Sequence, residues 1–454
     1  MARPPRAVFV TLLASALCVG LASGANAVPG SRQTAQVQAP AVLAPAKVEG
    51  VAPTAAGVQK ALAAILKDPA LGKHRGVYVY DASRDKPVFS VGAATPYVPA
   101  STLKLLTTVS ALETLGAEHT FITKVVSAAK GSIILVGGGD PLLTIKSQTD
   151  PTDYPTRASL QALAASTAKA LKAQGIASIA LGYDASLFTG PAANANWEPN
   201  YVAEGIAAPT SALWVNEGRL APSMAKRAPS PAQAAASAFA TQLKAVGIKV
   251  TGTVKPAVAP AAGKALAQVA SPSVGEIVEY VNLHSDNDGA EVLLRHVGLA
   301  TKNGGSYVGG VKGVKATLSK LGLDVSKATI EDGSGLSRTN RVPLDLLAGA
   351  VRVAAADDHA ELRHLLTGLP VAGFSGSLED RFAGPGAGSG TGLVRAKTGT
   401  LTGVHSLAGL VRDRTGTLLV FAVASDSVPV PKTLAARAAL DRASAALANC
   451  GCAV

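Results

Sequence analysis

Pro99-Ala100-Ser101-Thr102-Leu103-Lys104-Leu105-Leu106 is the stretch on which the reading of this chain turns. It follows a second proline, Pro96, and from Thr102 onward Leu105, Val109 and Leu112 recur at helical spacing until Gly116. The spacing predicts a helix over 102–115 with Ser101 at its start. One helical turn then separates Ser101 from Lys104, and both side chains project from one face. A serine hydroxyl needs a neighbouring base to attack a carbonyl, and an amine at this distance can supply one. The pattern alone is common: Ser-x-x-Lys also begins at Ser83, Ser127, Ser166 and Ser223.

Two further motifs single out Ser101. Ser285-Asp286-Asn287 and Lys397-Thr398-Gly399 each occur once as Ser-x-Asn and Lys-Thr-Gly, and they follow Ser101 in the order used by penicillin-recognising serine enzymes. Ser285 precedes an apolar-periodic run over 290–300 in a polar turn. Lys397 ends a run predicted as a strand, where Gly399 leaves room for a substrate backbone.

Working outward, 57–67 has helical spacing, and the runs 76–80 and 87–91 flank the turn-forming Asp81-Ala82-Ser83-Arg84-Asp85. The runs 393–398, 406–411 and 418–425 read as three more strands, the last two joined at Asp413-Arg414-Thr415-Gly416, and 434–448 as a closing helix. The expectation is an α+β fold, with one antiparallel sheet of about five strands and the terminal helices on one face. Between these halves, 121–269 turns to Ala-rich helices (160–173 and 232–245), short strands and Pro-rich connectors, the pattern of an inserted unit.

The three motifs, together with Gly76-Val-Tyr-Val-Tyr-Asp81, Gly137-Gly-Gly-Asp-Pro-Leu142, the stretch 197–218 and Asp332-Gly-Ser-Gly-Leu-Ser-Arg338, resemble the low-molecular-mass class C (type 4) penicillin-binding proteins of peptidase family S13. The resemblance spans nearly the whole chain after residue 27. It implies a serine β-lactamase/penicillin-binding-protein transpeptidase-like fold, with a catalytic domain of 51–120 and 270–454 and an inserted unit of 121–269. The 184 residues from Ser101 to Ser285 are too many for a compact class A β-lactamase. The implied activity is that of a D-Ala-D-Ala carboxypeptidase, with D,D-endopeptidase action beside it, on peptidoglycan stem peptides; β-lactam antibiotics would acylate the same serine. In that scheme Ser101 is the nucleophile and Lys104 the proton acceptor. Ser285 relays a proton, Asn287 holds Lys104 and the substrate amide, and Lys397, Thr398, Gly399 and Thr400 receive the terminal carboxylate. A free lysine titrates near 10.4, so Lys104 needs burial or a nearby cation such as Lys397. A β-lactamase-like hydrolase and a non-catalytic wall-binding protein are the competing readings.

Arg3, Arg6, the apolar run 7–21 and Ala25-Asn26-Ala27 read as a secretory signal, cleaved near Val28. The run is about fifteen residues, short of the roughly 20 that span a bilayer, and Leu17 before Cys18 does not suit lipidation. Residues 28–50 are rich in Ala, Pro, Val and Gln without a period, and read as a leader. Beyond the signal only Cys450 and Cys452 remain, so the core has to hold the fold; whether the two pair is open. With 48% apolar content the chain can bury a large core. A formal charge of +12, about +10 without the signal arginines, suits an anionic cell wall. Nucleic acid is a poor partner, since aromatic residues are only 4% and no basic-aromatic stretch occurs. The seven histidines show no zinc-peptidase spacing, so no metal or other cofactor is expected.

Gly137-Gly138-Gly139-Asp140 lacks the lysine of a phosphate loop and reads as a structural turn. Trp197 and Tyr201 read as core or turn residues, with the resemblance implying a place beside the substrate cleft as the alternative; the 332–338 stretch reads as a scaffold loop, and Lys312, Lys315 and Lys320 as a solvated helix face.

Overall fold

The computed structural model describes residues 51–129 and 131–453; the expected signal and leader lie outside them. In chain order the strands are β1 (Arg75–Asp81), β2 (Lys86–Val91), β3 (Pro96–Tyr97), β4 (Thr120–Ser127), β5 (Ser132–Val136), β6 (Ser178–Asp184), β7 (Lys249–Pro256), β8 (Ala265–Ser273), β9 (Val342–Pro343), β10 (Val394–Leu401), β11 (Val404–Arg412) and β12 (Leu418–Ser425). The helices are α1 (Ala55–Leu66), α2 (Lys104–Leu115), α3 (Leu160–Lys172), α4 (Pro231–Ala245), α5 (Val274–His284), α6 (Asn287–Ala300), α7 (Tyr307–Lys320), α8 (Leu344–Ala355), α9 (His364–Thr367) and α10 (Thr433–Ala448).

The strands predicted at both ends of the chain join in one antiparallel sheet of order β10-β11-β12-β1-β2. Successive residues of β12 point to opposite faces. Leu419, Phe421 and Val423 pack with Val58 and Leu62 of α1 and Leu440, Ala443 and Leu447 of α10. Val420, Ala422 and Ala424 face Leu346, Leu347, Ala350 and Val351 of α8. Both faces are thus covered, which explains why β12 reads as a nearly unbroken apolar run.

The strand predicted over 393–398 continues to Leu401, because β10 stays paired with β11 until the turn at Gly403, whose φ of 75° suits glycine. Lys397 therefore lies within the strand rather than at its end. Cys450 and Cys452 are joined by a disulfide, and Thr54 ahead of α1 donates its N–H to the Cys452 carbonyl at 2.7 Å.

A second sheet, order β7-β6-β5-β4-β8, comes from residues 120–273. Its parallel pairs β5-β6 and β6-β7 are crossed by α3 and α4, which bury Leu163, Leu171, Phe239 and Leu243 against it. Its outgoing strand β4 and returning strand β8 lie side by side and antiparallel. β4 follows α2, and β8 runs straight into α5, whose start is fixed by a capping box between Ser273 and Glu276.

Candidate active site

Ser101 sits in a single 3-10 turn, Ala100–Leu103, and α2 begins at Lys104. The predicted helix start is thus one tight turn ahead of the α-helix proper. Pro99 precedes this turn, and the Lys104 N–H is shared between the carbonyls of Ser101 and Thr102. Ala100, fully buried, has φ of 47°, a left-handed conformation that costs an L-residue roughly 1–2 kcal/mol. The turn is pinned from the sheet: Ser406 Oγ donates to the Pro99 carbonyl at 2.6 Å, and Thr102 Oγ1 donates to the same carbonyl at 2.7 Å.

Lys104 is fully buried. Its Nζ lies 3.0 Å from Ser101 Oγ, 2.8 Å from Asn287 Oδ1 and 2.8 Å from the Ser334 carbonyl. Burial brings its pKa down to about 8, against the opposing pull of Asp286, Glu291, Asp332 and Asp288. An ammonium has three N–H donors. As a neutral amine, Lys104 can give its two N–H bonds to Asn287 and Ser334, which are pure acceptors there, and turn its lone pair toward Ser101.

Ser285 caps the C-terminal end of α5, just past His284, in a left-handed conformation, φ 56°. Asp286 then caps α6, accepting from the N–H groups of Asp288 and Gly289 at 3.0 Å each. This double turn faces Asn287 toward Lys104, and Asn287 Nδ2 donates to the Ile206 carbonyl at 2.9 Å. Ser285 and Asn287 also line a polar cavity of about 210 Å³ with Glu217, Tyr280 and His284. The carboxylates of Glu217, Asp286 and Asp288 come within 4.8 Å of one another. Guanidinium groups already meet this charge: Arg227 pairs with Asp288 at 2.6 Å and Arg219 with Glu217 at 2.9 Å. The cluster is therefore a poor metal cage.

From β10, Lys397 is fully buried and donates to the Thr398 carbonyl at 3.0 Å. Burial, then the proximity of Lys104, hold its pKa well below the ordinary lysine value. Thr398 Oγ1 is 2.7 Å from Ser377 Oγ, while Thr400 is exposed. At Gly399 a Cβ would lie 2.1 Å from Ser406 Oγ and 2.5 Å from the Pro99 carbonyl, so only glycine lets the strand pass the serine turn.

Asn287 and Gly399 thus bring the second and third motifs to the Ser101 turn, although among the described residues no hydrogen bond joins Ser285 or Thr400 to Ser101. Sequence reasoning missed Ser334 as a direct partner of Lys104, and also Glu291, Ile206, Ser377 and Ser406. The glycine-rich stretch 332–338 was the available signal for Ser334. That stretch is indeed a scaffold, held by buried Asp332, which accepts from Gly335 N, Ser337 N, Asn340 Nδ2 and Trp197 Nε1 at 2.7–2.9 Å. Trp197, buried as expected, serves the same loop.

The sequence model of the D-Ala-D-Ala carboxypeptidase 3 (S13) family matches residues 58–230 and 223–447. "Carboxypeptidase DacB" of Mycolicibacterium smegmatis is 35% identical, over 98% of this chain and 95% of its own length. "Carboxypeptidase Rv3627c" of Mycobacterium tuberculosis is 35% identical, over 88% of this chain and 85% of its own. Among solved structures, penicillin binding protein 4 (dacB) of Haemophilus influenzae superposes with a TM-score of 0.69 at 22% identity, covering 85% of this chain and 97% of that one. The fold agrees with that neighbour, and the sequence match runs through the Ser101, Ser285 and Lys397 motifs alike: the chain belongs to the D-Ala-D-Ala carboxypeptidase 3 (S13) family.

Proposed function

We propose that this protein is a serine D-Ala-D-Ala carboxypeptidase of the cell wall, that it also cleaves D,D-crosslinks between stem peptides, and that β-lactams acylate it at Ser101. The observation that carries the reading is the position of Lys104 Nζ, shared among Ser101 Oγ, Asn287 Oδ1 and the Ser334 carbonyl. Ser101 Oγ attacks the carbonyl carbon between two D-alanines while its proton passes to neutral Lys104. The amides of Ser101 and Thr400 face the developing oxyanion. As the C–N bond breaks, the proton moves to the leaving amine by way of Ser285, and D-alanine departs. Water then cleaves the Ser101 ester, with Lys104 again taking the proton. Lys397, with Thr398 and Thr400, receives the terminal carboxylate, the group that penicillin also presents.

Residues 121–269 are read as an inserted unit within the catalytic domain, and the predicted signal places the enzyme outside the cytoplasmic membrane. There, an excess of basic residues favours an anionic wall. Among the described residues no helix is long and apolar enough to cross a membrane.

Labelled penicillin tests the reading. A stable adduct mapping to Ser101, lost in Ser101→Ala without loss of the fold, together with release of D-Ala from purified peptidoglycan, supports it. Rapid turnover of the antibiotic would mark a β-lactamase-like hydrolase, and absence of any adduct a wall-binding protein.

A further inference from the structure

The carbonyl of Ser334 reaches Lys104 because two acidic side chains hold its loop from below. Glu291, on the second turn of α6 and fully buried, accepts from Gly333 N at 2.9 Å through Oε2 and from Ser334 N at 2.8 Å through Oε1. These adjacent amides bracket the peptide plane next to the carbonyl that meets Lys104. From the opposite side, Thr107 Oγ1 donates to the Gly333 carbonyl at 2.8 Å. Thr107 lies one turn after Lys104 on α2, so the loop is bolted to the helix that carries the amine.

Burying a carboxylate whose hydrogen bonds come from neutral donors is unfavourable for folding alone. Only a carboxylate offers an oxygen to each of the two N–H groups, since an amide in the same place would set its NH2 against one of them. What the carboxylate adds is negative charge near Lys104, and a carbonyl aimed at one of its N–H bonds.

We propose that Glu291 is a positioning residue for the serine-activating amine. It fixes the Ser334 carbonyl so that the Lys104 lone pair points at Ser101, and its charge helps Lys104 keep a proton that burial would otherwise expel. The proposal rests on Lys104 acting as base toward Ser101. The charged groups facing Lys104 are Asp286, Asp288 and Glu291 from the start of α6, Asp332 from the loop, and Lys397 from β10. Burial, with Asp332 nearby, pushes the Glu291 carboxyl up to about 8, opposed by the N–H bonds it accepts from Gly333 and Ser334. Accepting two N–H bonds favours the anion of Glu291 and hence the ammonium of Lys104 in the resting state.

The test uses two variants of the full chain, followed by acylation with a chromogenic β-lactam as a function of pH. Glu291→Gln keeps the shape, loses one acceptor and removes the charge. Its maximal acylation rate is expected to fall about tenfold or more, through misplacement of the carbonyl. Its acid limb moves to lower pH, because an anion that favoured Lys104-H⁺ is gone. Thr107→Val loosens the same peptide without touching charge; its maximal rate should drop about threefold with the limb unmoved. A folded Glu291→Gln with parental rate and limb overturns the proposal. So does an unchanged rate in Thr107→Val, which also decides the matter if Glu291→Gln does not fold. Lys104→Met tells the proposal from its premise. If that variant still acylates, Lys104 is not the base and the premise fails; if it is inactive while Glu291→Gln is normal, only the role of Glu291 fails.

Discussion

Asn287 joins two distant parts of the chain through one amide: its Oδ1 accepts from Lys104 Nζ at 2.8 Å, and its Nδ2 donates to the Ile206 carbonyl at 2.9 Å. The second bond settles which end of the amide faces the lysine, since a flipped amide would set its oxygen against the Ile206 carbonyl, two acceptors face to face. Asn287→Asp keeps the size and reverses this logic. A carboxylate beside Lys104 favours the ammonium, so the lysine pKa rises above about 8. Acylation at neutral pH should fall by about tenfold or more and recover as pH is raised. The pH profile of β-lactam acylation measures this; a profile superimposable on the parent would remove Asn287 from the base's surroundings.

Lys397 is depressed by burial and by Lys104, whereas a bound carboxylate would favour its charged form. Binding of a carboxylate-bearing ligand near neutral pH should therefore take up a proton. Calorimetry on Ser101→Ala, in buffers of differing ionisation enthalpy, reads this uptake without interference from chemistry. The same heat in every buffer would place the carboxylate elsewhere.

Gly399→Ala drives a methyl into the Pro99 carbonyl, which Ser406 and Thr102 already hold. The expected cost is about 1–3 kcal/mol, read from the urea midpoint, with acylation falling at least in proportion because the strand must shift away from the Ser101 turn. Full stability together with full acylation would show that β10 can move without consequence.

Arg227→Met removes the partner of Asp288, and both side chains are buried. An unpaired buried carboxylate next to the second motif should cost about 3–5 kcal/mol, visible as a lower denaturant midpoint. Adding Asp288→Asn should recover much of it. If the double variant is no more stable than the single, the ion pair is not the reason.

The sheet and the Ser101–Lys104 pair were legible because they depend on side-chain identity and period. β12 alternates its large residues between two covered faces, and Ser101 and Lys104 stand one turn apart, the first in the 3-10 turn and the second at the start of α2. Other parts were hidden for a physical reason. The groups that orient Lys104 and Asn287 include the carbonyls of Ser334 and Ile206, and every residue type carries a carbonyl. Glu291 reads as the polar face of an amphipathic helix, because burial by a loop 42 residues later leaves no local trace. The extension of β10 to Leu401 was likewise invisible, since pairing with β11 and not composition decides where an edge strand stops.

The ladder between β4 and β8 ties α2 and α5 together mechanically. Val274 and Gly275 at the head of α5 donate to the carbonyls of His119 and Ala117 at 2.8 Å each, just past the end of α2. One helix carries Lys104 at its far end, and the other delivers Ser285 and Asn287. The second sheet is thus a strut that clamps the tail of α2 to the head of α5, so the frame across which Lys104 and Asn287 face each other is braced from 120–273 as well as from its own contacts.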